Sequence, residues 1–230
     1  MKTKITSLCL FLMLVLGATS LKASNLYVVS GESFTITPGT GFVKYLWDLD
    51  NQEILEADIL PGGVLTRSLL NAGTTITKHT LKLSVLEQLL GGCYSEAVSH
   101  TIIVLPKLTT LIAANLDNFC SEAVSISSEL TSTFVTGSLL TNLSEYGIGF
   151  TYQWAKKTGE TLTNIPEATS NKLIVTEVGE YVTQVAYSLP TTGSYPSNGS
   201  SIKVPTAITS SVQEIRKTLA KPLSPDISIL

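Results

Sequence analysis

Asp48, Asp50 and Glu53 form the tightest carboxylate cluster in the chain, with Asn51 between them. Several oxygens on one short loop suit a hard cation such as Ca²⁺, which makes the cluster a candidate metal site. It lacks the glycine that an EF-hand loop requires, and a solvated turn at a strand end explains the same residues. The turn is the preferred reading, and no cofactor is expected. His79 and His100 are the two histidines, and each stands alone in the sequence. A nucleophilic serine needs a base beside it. No G-x-S-x-G elbow, H-E-x-x-H pair or phosphate-cradling glycine loop is present to supply one or to build another site. The chain therefore reads as a non-enzyme.

Tyrosines offer a different chemistry. Tyr94, Tyr146, Tyr187 and Tyr195 fall in expected loops or strand ends. Exposed rings there could stack on sugars if polar groups converged beside them. Tyr94 and Tyr195 are the candidate ligand-binding residues, and carbohydrate recognition is the alternative to a purely structural or protein-binding role. A net charge of −3 argues against nucleic acid, whose phosphates need clustered Lys and Arg. The expected partner is a protein or a cell-surface glycan.

Lys2 and Lys4 precede an apolar run from Ile5 to Gly17, followed by small residues at Ala18, Ser20 and Ala23. The run is too short to span a bilayer, which takes about 20 apolar residues. It has the form of a secretory signal cut after Ser20 or Ala23. The mature chain is expected to be exported, without a membrane span, to the cell surface, periplasm or medium of a bacterium. Its cysteines are then Cys93 and Cys120. Outside the cytoplasm thiols tend to pair, so an internal bridge, two unpaired thiols and intermolecular pairing all stay open.

The elements that position these residues are strands. The chain has 230 residues, 43% of them hydrophobic and 14% charged, which is ample for a core. Phe34 and Ile36 alternate with Ser and Thr, as do Leu81, Leu83 and Val85 with Thr80, Lys82 and Ser84. Tyr152 and Trp154 flank Gln153, and Tyr181, Thr183 and Val185 keep the same period of two. The order of landmarks then repeats. Ser33–Ile36, Tyr45-Leu46-Trp47, Leu81–Val85, Gly92-Cys93-Tyr94-Ser95 and Ile103–Pro106 make one copy. Ala123–Ile126, Tyr152-Gln153-Trp154, Tyr181–Val185, Gly193-Ser194-Tyr195-Pro196 and Ile202–Pro205 make the second, with an extra insert through Thr131 to Ile148.

One tryptophan per copy, with strand signals on both sides, points to two antiparallel sheets packed face to face. Trp47, Trp154 and Tyr181 are the expected structural core, Tyr181 as a tyrosine corner after Val178-Gly179-Glu180. The fold class is therefore all-β: two tandem sandwiches, with an N-terminal signal helix and a short C-terminal helix or tail. The units are a signal peptide over 1–23, sandwiches over 24–106 and 107–206, and a tail over 207–230. Pro106 between strands should stiffen the joint into a semi-rigid rod. In the tail, Ser211-x-x-Glu214 fits a capping box, and Val212, Ile215 and Leu219 fit a helical face.

Leu162-x-x-Ile165-Pro166-x-Ala168-Thr169-Ser170-x-x-Leu173-x-Val175, followed by Gly179-x-Tyr181, resembles the Ig-like repeats of bacterial secreted and surface proteins. Phe119-Cys120-Ser121-Glu122 is similar to the opening of such repeats. Tyr45-Leu46-Trp47-Asp48-Leu49-Asp50-Asn51 is similar to the Y-x-W-D-F-G-D-G signature of polycystic-kidney-disease domains, without its glycines. The resemblance implies an Ig-like module acting as a spacer or adhesion protein. It says little about a ligand, because this sandwich carries many functions.

Overall fold

The computed structural model describes residues 24–55, 58–71, 73, 75–87, 92–120, 126–135, 142–197 and 207–218. The signal segment, Ala123–Ser125 and Ile202–Pro205 lie outside the described residues. Among the described residues the regular structure is β-strand with short 3-10 turns. No helix there is long and apolar enough to cross a membrane.

The first eight strands are β1 (Asn25–Val29), β2 (Ser33–Ile36), β3 (Lys44–Leu49), β4 (Gln52–Glu53), β5 (Ile59–Leu60), β6 (Val64–Ser68), β7 (Thr77–Leu86) and β8 (Val98–Leu105). They form one sheet in the order β1-β8-β7-β3-β4 and a second in the order β2-β6-β5. All pairs are antiparallel except β1 with β8. Period-two alternation sends Leu26, Val28, Ile102 and Val104 between the sheets to meet Phe34, Leu65 and Trp47. Trp47 is fully buried, and its Nε1–H donates to the Gly63 carbonyl at 2.9 Å. An indole removes on the order of 200 Å² from water but brings one donor that must be satisfied.

Gly63 is held at φ 77°, and a Cβ there would come within 2.2 Å of the Tyr45 ring. Only glycine can place that carbonyl beneath the indole. At the other end of the sheet, Asp50 and Asn51 have φ of 54° and 65°. They are the two central residues of a tight hairpin between β3 and β4, the backbone that a type I′ turn demands.

The remaining strands are β9 (Thr110–Ala114), β10 (Asn118–Cys120), β11 (Ser128–Phe134), β12 (Gly149–Thr158), β13 (Thr161–Asn164), β14 (Lys172–Val175), β15 (Gly179–Ser188), β16 (Ile208–Thr209) and β17 (Gln213–Thr218). Their sheets run β10-β17-β15-β12-β13 and β14-β11-β9, with β16 added to β15. The plan repeats the first half. Each tryptophan strand pairs with the long strand after it, Trp47 opposite Leu83 and Trp154 opposite Thr183. In each half an early strand lies parallel to the last, β1 on β8 and β10 on β17. The Trp154 Nε1–H donates to the Ser170 carbonyl at 2.8 Å, sixteen residues downstream, the separation seen from Trp47 to Gly63. Tyr181 Oη donates to the Glu177 carbonyl at 2.9 Å and closes a tyrosine corner. These are two Ig-like sandwiches in tandem.

Two expectations are corrected. Where the tail is described it is not a helix: Gln213–Thr218 is strand β17, laddered to β15 and β10, and Leu219 lies outside the described residues. Its Ile215 is 1% exposed in the second core, while Glu214 and Arg216 pair on the outer face. A lone helix shorter than about 12 residues is marginal in water, whereas this strand completes a sheet. The insert is narrower than Thr131 to Ile148, since Ser128–Phe134 is a core strand with Ser128, Leu130 and Ser132 buried. Inward serines hid its alternation.

Candidate functional site

Strands β1 and β8 read Leu-Tyr-Val-Val and Ile-Ile-Val-Leu, apolar at consecutive positions. Such runs mark strands covered on both faces, because one wet face would carry polar side chains. Their second face is covered by the other half of the chain. Tyr27, Val29, Ile103 and Leu105 turn away from the first core and pack with Leu108, Ile148 and Tyr187 in a third buried cluster. Phe134, Phe150 and Tyr187 line it in a row, with ring centroids 4.4 and 5.4 Å apart. Burying an aliphatic or phenyl side chain of this kind is worth about 1.5–3 kcal/mol. The loops of the second overlap the outer face of the first, and packing holds the joint.

Polar groups at the joint are paired across it. Tyr27 Oη donates to the Tyr195 carbonyl, and Tyr187 Oη donates to the Pro106 carbonyl at 2.7 Å. Asn142 Nδ2 donates to the Ile76 carbonyl at 3.2 Å, while its Oδ1 accepts from the Ile76 amide at 2.9 Å. Asn25 Nδ2 donates to the Pro196 carbonyl at 3.1 Å, and Asn25 forms a parallel bridge with Ser197. That bridge covers part of the β1 edge, which would otherwise present unpaired backbone groups. Burial pushes the Tyr27 hydroxyl up to about 12, with Tyr195 adding to the shift. Burial pushes Tyr187 upward as well.

The tyrosines singled out from the sequence separate here. Tyr195 stacks on Tyr146 with centroids 5.0 Å apart, and Lys78 Nζ lies 5.6 Å from its ring centroid. Tyr146, Tyr187 and Tyr195 thus belong to the joint. Tyr94 lies apart from them, 46% exposed, in the β7–β8 loop where it bridges Leu86. The joint itself carried a sequence signal in the doubly apolar β1 and β8. Asn142 carried none, since nothing local distinguishes it from any loop asparagine.

The carboxylates serve the β3–β4 hairpin. Asp50 Oδ1 accepts from the Thr80 amide at 2.8 Å, and Oδ2 lies 2.6 Å from His79 Nδ1. Partial burial alone would raise the Asp50 carboxyl, but the Thr80 and His79 hydrogen bonds and the His79 charge outweigh it and hold it low. Asp48 Oδ1 accepts from the Asn51 amide at 2.8 Å, and Lys82 Nζ donates to Asn51 Oδ1 at 2.7 Å. Glu53 is exposed and opposes Asp48 across the ladder. Among the described residues no group of three or more His, Cys, Asp and Glu side chains is placed to hold a metal ion.

His100 Nδ1 lies 3.0 Å from Ser24 Oγ, and burial holds its imidazole below the usual range. Among the described residues no hydrogen bond links it to a carboxylate. Cys93 is exposed and outside any disulfide, so the internal Cys93–Cys120 bridge is not formed. Cys120 closes strand β10. Trp47 and Trp154 are fully buried and Tyr181 is 3% exposed.

No family model matches the chain, and no curated protein matches it significantly. Among solved structures it is similar to the fibronectin(III)-like modules of CbhA from Clostridium thermocellum, with 10% identity and a TM-score of 0.38, over 92% of this chain and 98% of that one. A marsupial T cell receptor is similar over 89% of this chain and 75% of its own, with 12% identity and a TM-score of 0.44. The four N-terminal Ig domains of Dscam1 are similar over 87% and 44%, with 14% identity and a TM-score of 0.34. Likenesses this distant carry no argument about ligand, partner or activity.

Proposed function

We propose that this is an exported, non-enzymatic pair of Ig-like units, 24–106 and 107 onward, acting as a spacer or adhesion module at a bacterial surface. The observation that carries this reading is the buried joint, which fixes one sandwich against the other as a spacer requires. The signal-like first 23 residues support export. Asp50 on Thr80 and His79, and Tyr27 and Tyr187 on backbone carbonyls, serve structural roles. Contact with a protein or glycan partner would fall to the exposed loop that carries Tyr94.

Intact native cells treated with a protease that cannot enter them test the reading. The chain should be degraded from outside, and its mature mass should begin after Ser20 or Ala23. Recovery from the cytoplasm with the first 23 residues attached would defeat it. The exposure of Tyr94 keeps one second reading in play, sugar recognition. Binding on a glycan array that Tyr94→Ala abolishes would establish that role.

A further inference from the structure

We infer that the two sandwiches fold and unfold as one cooperative unit, with the joint as a shared third core and the Asn142 amide as its latch. Tandem sandwiches joined by a short linker are by default separate bodies, since interfaces between domains are usually modest and polar. This joint is of the other kind. Tyr27, Ile103 and Leu105 are completely buried on the outer face of β1 and β8. Loss of the second sandwich would turn that face into a wet apolar patch on an edge strand, an aggregation hazard.

The backbone is left incomplete as well. Ile76 has both its amide and its carbonyl satisfied by Asn142, which enters from the other half. The β1 edge takes its bridge from Ser197. The dependence runs both ways, because the Tyr195 and Pro196 carbonyls accept from Tyr27 and Asn25. Each half lacks partners that only the other supplies. Opening one must therefore open the other, as neighbouring repeats with a large interface term do.

Hydrogen exchange read by mass spectrometry on the full chain in graded denaturant tests this. Strands β7 and β15, one from each half, should open with the same free energy and the same denaturant dependence. Leu130→Ala lies wholly in the second core, yet it should reduce protection in β7 by the same factor as in β15. Asn142→Ala should lower both together, roughly tenfold, as expected when buried backbone groups lose their partner. If Leu130→Ala does not fold, Ile215→Val gives the same readout at smaller amplitude. Protection lost in β15 while β7 is unchanged would overturn the inference, as would two separate unfolding transitions in the native sequence.

Discussion

Tyr94 and Tyr195 occupy matching places, each in the loop before the final strands of its sandwich, in the settings Gly92-Cys93-Tyr94-Ser95 and Gly193-Ser194-Tyr195-Pro196. Tyr94 is 46% exposed. Tyr195 stacks on Tyr146 beneath Lys78, and its carbonyl takes the Tyr27 hydroxyl. The same local chemistry has become a free loop in one half and part of a joint in the other. What separates them is the neighbour: the second sandwich has the outer face of β1 and β8 to rest on, and among the described residues the first sandwich's loop has nothing comparable. The tryptophan anchors show a related contrast. Both indoles donate to a carbonyl sixteen residues on, but Gly63 sits at positive φ against the Tyr45 ring, and Ser170 is an exposed bend residue.

The anchors give the largest expected effect. Gly63→Ala drives a methyl into Tyr45 and strains the backbone, and should cost about 3 kcal/mol. Ser170→Ala keeps the backbone acceptor and should stay within about 0.5 kcal/mol. Urea unfolding followed by tryptophan fluorescence measures both, and equal losses would erase the contrast. Next come the loops. Tyr195→Ala forfeits ring stacking and part of the joint, about 1–2 kcal/mol, while Tyr94→Ala should be near neutral in the same assay.

Opposite the tryptophans the halves also differ, with Leu83 in one and Thr183 in the other. Among the described residues the buried Thr183 hydroxyl has no hydrogen-bond partner. Thr183→Val should therefore stabilise the chain, by about 1 kcal/mol, visible as a higher thermal midpoint.

The gentlest effect is on pH. The Tyr27 hydroxyl stands at about 12 in the folded chain against an ordinary 10.0. A raised value means that its contribution is whole below pH 10 and is lost as pH climbs through about 12. Tyrosinate absorbance should lag for Tyr27 and Tyr187 until the joint opens, and Tyr27→Phe should lower the late rise by one tyrosine while Tyr187 keeps its own lag.

Much of the architecture was legible. Alternation at Phe34–Ile36, Leu81–Val85 and Tyr181–Val185 marked strands that the structure contains. The repeated tryptophan motif marked the strand that carries the buried indole of each half. The last strand was not legible, because Val212, Ile215 and Leu219 satisfy a helical period, whereas the strand buries Ile215 and leaves Val212 exposed. Strand β11 was obscured by Ser128 and Ser132, small polar residues that face inward. Of the candidate site, β1 and β8 announced a second covered face, but nothing local could say what would cover it.

Periodicity and residue type, which are properties of neighbours along the chain, determined that this protein is all-β, duplicated, and built on one tryptophan strand per half. The tertiary structure decided the identity of the closing strand β17, the fate of the two loop tyrosines and the overlap of the sandwiches. Those outcomes depend on which distant surface each segment can bury against and which backbone groups it can satisfy there.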